Sequence, residues 1–264
     1  MAYAQTSYNP GNYQDLVTYI NQCSENDYIT LDANILLESR LEISANKVVN
    51  LRLAGYKLYR NLSEADDNGS VIHIAEGGTL NLSNGTEAPQ VYGTATISGG
   101  NATKGGGILN EGTLVINGIN AINITGNAAT ECGSGIWNSG TLSMTGNVTV
   151  KNNTNDDVYL KKGTKITTCT LTSEQNSIGI AMEVAGVFTQ DYQTNNPNNT
   201  IHFFPNNNTI YTMGLNNDGE GYVTNNSYIE CSWNADNKQV VHTQKSIPTG
   251  TISINSRISR IGAT

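Results

Sequence analysis

Gly105-Gly106-Gly107-Ile108-Leu109-Asn110-Glu111-Gly112-Thr113-Leu114-Val115-Ile116 returns, about 28 residues later, as Cys132-Gly133-Ser134-Gly135-Ile136-Trp137-Asn138-Ser139-Gly140-Thr141-Leu142-Ser143-Met144. A repeat of that period describes supersecondary units that stack, each burying an apolar face against the next, rather than one globular core. Gly78-Thr79-Leu80-Asn81-Leu82 opens the series, and Gly163-Thr164 continues it. A second element runs alongside at Ile97-Ser98-Gly99-Gly100-Asn101, Ile124-Thr125-Gly126-Asn127 and Val150-Lys151-Asn152-Asn153. The spacing between copies varies while the strands keep their pattern, so the length changes belong to loops.

In each Gly-Thr-Leu-x-apolar strand, the Leu and the next apolar residue lie two apart and share one face. That face is inward, which turns Thr79, Thr113, Thr141 and Thr164 outward. Asn110 and Asn138 fall at equivalent turns, where amide side chains can hydrogen-bond from coil to coil. Coils of 22 to 34 residues with about three short strands each describe an all-β, right-handed parallel β-helix. From Asn12 to Cys23 the apolar period changes: Leu16, Ile20 and Cys23 follow i, i+4, i+7, which predicts a short helix that caps the N-terminal coil. The expected organisation is a lead-in and capping helix over 1–24, the solenoid over 25–190, β-rich end coils or a cap over 191–245, and a tail or linker over 246–264. Within the third segment, Asn216–Gly221 reads as a hairpin turn, and a second hairpin turns around Asn234–Lys238.

Composition narrows the function. Asparagine is abundant and glycine contributes 27 residues, which suits many tight turns. The formal charge of −8, with 14 Lys and Arg, argues against nucleic acid, which needs clustered cations. No apolar run is long enough to cross a bilayer. Met1 to Gln5 has no basic region and no apolar segment, so no secretion signal is visible, and the chain reads as an exported protein taken after its leader. Cys23, Cys132, Cys169 and Cys231 are far apart and form no CxxC pair, so buried single thiols are expected rather than a metal site or a disulfide scaffold.

Gly-Gly-Gly-Ile-x-Asn with Ile-x-x-Asn resembles the repeats of bacterial surface β-helix proteins, among them the polymorphic outer-membrane adhesins, although Ile or Val stands here where that signature has Phe. The chain is more closely similar to β-helix modules of large exported proteins from gut Bacteroidetes and Firmicutes. There a coil ends in a segment like Asp157-Val158-Tyr159-Leu160-Lys161-Lys162-Gly163-Thr164-Lys165-Ile166 and is followed by one like Ser177-Ile178-Gly179-Ile180-Ala181-Met182-Glu183. The resemblance covers about residues 70–190. It implies a cell-surface or extracellular module of a larger multidomain protein, and no particular ligand.

Many β-helix proteins cleave polysaccharides, which makes acid pairs the residues to test. Asp156-Asp157 and Asp66-Asp67 are the doublets, and a hydrolase needs two carboxyls facing one cleft. Adjacent strand residues point to opposite faces, and the Gly-His-Gly and Arg-Ile-Lys motifs of pectin hydrolases are missing. Asp156, Asp157 and Lys161 are therefore the candidates only under the alternative reading, a secreted polysaccharide lyase or glycoside hydrolase with a divergent acidic site. His73, His202 and His242 sit inside apolar strands and read as structural. A threonine array for ice binding fails because Asn81, Val115 and Ser143 do not continue it. No cofactor and no metal is expected. The reading preferred is a non-enzymatic, adhesin-like module that displays or binds glycan or host protein, without inserting into a membrane. Trp137 and Tyr159, outward on neighbouring coils, are its candidate contacts because aromatic rings stack on sugars.

Overall fold

The computed structural model describes residues 5–85, 92–196 and 202–206, and also 211–215, 218, 220–225, 227–234 and 239–246, these last mostly as backbone. The tail beyond Ser246, Met1–Ala4, the side chains of Cys169, Cys231 and His242, and most of the expected turns at 216–221 and 234–238 lie outside the described residues.

Short strands stack in parallel as three ladders. The first ladder climbs through Tyr28–Thr30, Val48–Arg52, Thr79–Ser83, the start of Thr113–Ile124, and the start of Thr141–Val150. A second joins Ile35–Leu36, Lys57–Tyr59, Ala95–Ser98 and the far ends of the two long strands. The third runs Leu41–Ile43, Ile72–Ile74, Ile108–Asn110, Ile136–Asn138, Val158–Leu160 and Ile178–Met182. The chain visits the three in turn and returns one coil higher, so the fold is an all-β parallel solenoid. Strands in such a ladder lie about 4.8 Å apart.

The repeat register holds at residue level. Leu80, Leu114 and Leu142 pair in order, as do Leu82, Ile116 and Met144, and all six are fully buried. Ile72, Ile108, Ile136 and Val158 do the same in the third ladder. Thr79, Thr113 and Thr141 pair facing outward as expected, but Thr164 does not join them. Leu142 pairs with Ile166, which sets Lys165 opposite Thr141. Gly163, at φ 86°, belongs to a turn closed by the Thr164 hydroxyl donating to the Lys161 carbonyl, and that turn uses up the Gly-Thr pair.

Glycine in the Gly-Thr motif answers to crowding between coils. A Cβ on Gly112 would land on the Gly78 carbonyl oxygen, and one on Gly140 on that of Gly112. At the turn one coil below, Asn46 adopts φ 62° beside Gly77 at φ 79°, which shows how asparagine and glycine share the left-handed corners. The expected amide stack is present: Asn110 Nδ2 donates to Asn138 Oδ1 at 2.6 Å, with both side chains fully buried.

The N-terminal helix spans Tyr13–Gln22, with Asn12 Oδ1 accepting the Asp15 backbone N–H at 2.9 Å. Leu16, Ile20 and Cys23 enter the core, as their spacing predicts. Parallel stacking is longer than residues 25–190 at both ends. Ser7–Tyr8 pairs with Tyr28–Ile29, and Phe203–Pro205 pairs with Ile178–Ile180. The second strand escapes a periodicity reading because it is three residues long and set among asparagines. Phe188, Tyr192 and Phe203 fill the bore there, the Phe188 and Phe203 rings meeting edge-on at 5.1 Å. Beyond it, Tyr211–Leu215 with Gly221–Asn225, and Ser227–Asn234 with Gln239–Ser246, form the two expected antiparallel hairpins. Among the described residues no helix is long and apolar enough to cross a membrane.

Candidate functional site

The outer face of the first ladder carries a groove of about 450 Å³. Two outward columns build it. Tyr28, Asn50, Asn81 and Val115 follow one another coil by coil, and Arg52, Ser83 and Asn117 run beside them. Ile119, 43% exposed, stands at one side, where the register between the two long strands shifts after Gly118. That irregularity lifts an apolar side chain out of the flat ladder and turns a surface into a concavity.

The polar groups are partly fixed and partly available. Asn50 Nδ2 donates to the Glu25 and Asp27 carbonyls, both at 2.8 Å, and Asn81 Nδ2 donates to Asn50 Oδ1 at 2.8 Å. Asn81 Oδ1 is left to accept. The side chains of Ser83 and Asn117 and the Arg52 guanidinium make no hydrogen bond among the described residues. Arg52 Cζ lies 3.5 Å from the centre of the Tyr28 ring. Among the described residues no carboxylate side chain lines the groove. A cleft with one aromatic, one guanidinium and several oriented amides and hydroxyls suits a ligand rich in hydroxyl groups.

The candidates named from sequence lie elsewhere. Trp137 and Tyr159 are in register on adjacent coils of the third ladder, outside the bore, as their alternation implies. Trp137 is nevertheless only 8% exposed. Lys104 Nζ sits 5.9 Å from its ring centre, and the small parallel sheet of Asn101–Lys104 with Ala128–Cys132 ends beside it. Alternation places a side chain outside the coil, and it says nothing of what folds over it there. Tyr159 is half-buried.

Asp156 and Asp157 lie in the bent segment before Val158–Leu160, and their carboxyls take separate partners. Asp157 is 3% exposed, and its Oδ1 accepts from Asn153 N at 3.0 Å and Asn153 Nδ2 at 2.9 Å. Burial raises its pKa against those hydrogen bonds. Burial also raises the pKa of Asp156, which turns toward the Gly133 N–H. Lys161 is committed to an ion pair with Glu183. Asp66 Oδ1 caps the Asn68 N–H, and Asp67 Oδ1 accepts from Thr103 Oγ1. These acids close turns and join coils.

The thiols and imidazoles are similarly occupied by structure. Cys23 is buried and Cys132 half-buried, and burial pushes both thiols up, Asp156 adding to the effect at Cys132. A thiol so held is a poor nucleophile. The His73 ring lies between carboxylates of the coils on either side. Nε2 is 2.9 Å from Glu111, and Nδ1 is 2.8 Å from Glu42 at an angle short of a hydrogen bond. His202 is buried, which lowers its pKa, with Nδ1 near Ser173 Oγ and the Glu174 carbonyl. Among the described residues no three His, Cys, Asp or Glu side chains converge as metal ligands would.

Sequence reasoning missed the groove, because no motif marks its residues. No protein-family model matches this chain, and neither a curated protein nor a solved structure matches it.

Proposed function

We propose that this chain is a non-enzymatic module of an exported bacterial cell-surface protein, adhesin-like, whose groove binds glycan. The solenoid is right-handed, in keeping with the strong bias of parallel crossover connections. The N-terminal helix covers one end of the stack and the β-rich C-terminal region the other, which shields apolar ends that would otherwise recruit further strands. A surface-exposed module of this kind displays its long outer faces to glycans or host proteins.

The observation that carries the reading is the groove itself: amide, hydroxyl and guanidinium groups over successive coils, several of them unengaged, with no acid among the described residues that line it. Glycoside hydrolysis requires a pair of carboxyls across the scissile bond. Here the described residues lining the concavity include no acid, and the carboxyls of the doublet Asp156-Asp157 are taken up separately, by Asn153 and by the Gly133 N–H. Binding without cleavage is what such a lining supports.

Probing immobilised oligosaccharides with the purified chain tests this. Wild type is expected to bind a subset, and Asn81→Ala and Asn117→Ala each to weaken that binding roughly tenfold, the worth of one or two hydrogen bonds. Trp137→Phe should leave it unchanged, since that ring is covered. Binding indifferent to the asparagine changes but lost in Trp137→Phe would move the site to the third ladder. Release of new oligosaccharides from a polysaccharide panel would defeat the non-enzymatic reading.

A further inference from the structure

Arg52 is the one charged residue among the described residues lining the groove. Arg40 pairs with Glu42, Lys104 with Glu131 and Lys161 with Glu183. Among the described residues no carboxylate lies within ion-pair distance of Arg52, in a chain with 22 acidic residues against 14 basic ones. Its guanidinium instead packs over the Tyr28 ring at 3.5 Å. That contact holds the plane without using its N–H donors, so the fork is fixed before any ligand arrives. Ser83 and Asn117 follow Arg52 in the same outward column, and Asn50 and Asn81 stand beside it.

We propose that the groove selects a carboxylate-bearing sugar, a uronate or a sialate, with Arg52 receiving the carboxylate. This inference rests on the groove being the glycan site. A planar guanidinium meets a carboxylate through two parallel N–H···O bonds. The amides and hydroxyls of the next coils take the sugar hydroxyls, and the coil rise is close to the length of one pyranose unit, so a short chain lies along the solenoid axis. The overall negative charge opposes an anion only weakly at this range, because salt screens beyond about 8 Å at physiological ionic strength. The guanidinium in direct contact decides. Tyr28 is a positioning residue, acting through Arg52.

The test is calorimetric titration at fixed ionic strength with three probes: a hexuronate trimer, a sialylated trisaccharide, and the hexuronate trimer after reduction of its carboxyls. Wild type is expected to bind one of the acidic probes roughly 10- to 100-fold more tightly than the reduced trimer, with affinity falling as salt rises. Which acid wins distinguishes uronate from sialate. Arg52→Gln should erase the preference while keeping the wild-type melting curve, and Arg52→Lys should restore part of it. Tyr28→Phe should retain it and Tyr28→Leu reduce it. If the reduced trimer binds as well as the acidic probes, or Arg52→Gln binds them like wild type, the carboxylate proposal falls, and sensitivity to Asn81→Ala keeps the groove. If the folded protein binds none of the probes and no immobilised oligosaccharide, both fall together.

Discussion

Gly140→Ala is expected to cost about 3 kcal/mol of stability or more, although it exchanges the poorer strand former for the better one. Gly140 has ordinary backbone angles, with φ outside the left-handed region. Conformational strain therefore plays no part. The cost is steric: the added methyl meets the Gly112 carbonyl oxygen of the coil below, a backbone atom held by the Thr141 N–H at 2.8 Å. No rotamer change relieves that. Gly126→Ala is the matched comparison, because Gly126 has φ 66° and a methyl added there would meet nothing within 4 Å. It should lose only the roughly 1–2 kcal/mol of a left-handed residue. In a stacked array stability is a sum of coil and interface terms, so damage at one interface opens the neighbours first. Urea midpoints should rank wild type, then Gly126→Ala, then Gly140→Ala, and hydrogen exchange in Gly140→Ala should rise first around Asn110 and Asn138. A Gly140→Ala protein melting with wild type would mean that the coils shift freely past one another.

The same stacking explains what could be read from the chain. Wherever two coils carry the same pattern, register follows residue by residue, as in Leu80, Leu114 and Leu142, and the buried pair Asn110 and Asn138 is foreseen from turn position alone. Reading fails where one turn is two residues longer, six positions from Leu160 to Ile166 against four from Asn138 to Leu142. Gly163-Thr164 looks like a fourth copy, yet the strand that pairs with Thr141–Val150 starts later, at Ile166. It fails again at Phe203–Pro205, where three residues complete a ladder without a pattern of their own.

The groove was illegible for a related reason. Tyr28, Asn50, Asn81 and Val115 are neighbours in space but lie 22, 31 and 34 residues apart, in coils of unequal length. Two of those coils, at Tyr28 and Asn50, precede the clear repeats, so no internal comparison aligns them. Trp137 shows the complementary limit. Strand alternation sets it outside the bore and is blind to the second sheet, whose Lys104 Nζ lies 5.9 Å from the ring centre.

Asp157→Ala and Asp157→Asn should move stability in opposite directions. A buried amide ladder runs from Asn127 Nδ2 to Asn153 Oδ1 at 3.0 Å, then from Asn153 Nδ2 to Asp157 Oδ1 at 2.9 Å. Asp157 thus ends the ladder at the same corner as Asn153, four residues further along the chain. Alanine leaves the Asn153 backbone and side-chain N–H groups without an acceptor, at a cost of about 1–3 kcal/mol for each group orphaned. Asparagine keeps the acceptor and removes a carboxylate that burial disfavours. Because the folded pKa lies above the ordinary 3.8, the unfolded chain ionises first as pH rises. The stability tied to the protonated group is whole below that value and is lost as pH climbs through the folded pKa. Asp156 beside it is raised too and gives a parallel loss, so the difference between wild type and variant isolates Asp157. Asp157→Asn is expected to match wild type near pH 3.5 and to exceed it at pH 7 by about 1 kcal/mol, a rise in Tm of roughly 2–4 °C. Equal melting at pH 7, or a larger gain in acid than at neutrality, would show that the carboxylate is held charged without penalty and that the ladder needs its charge.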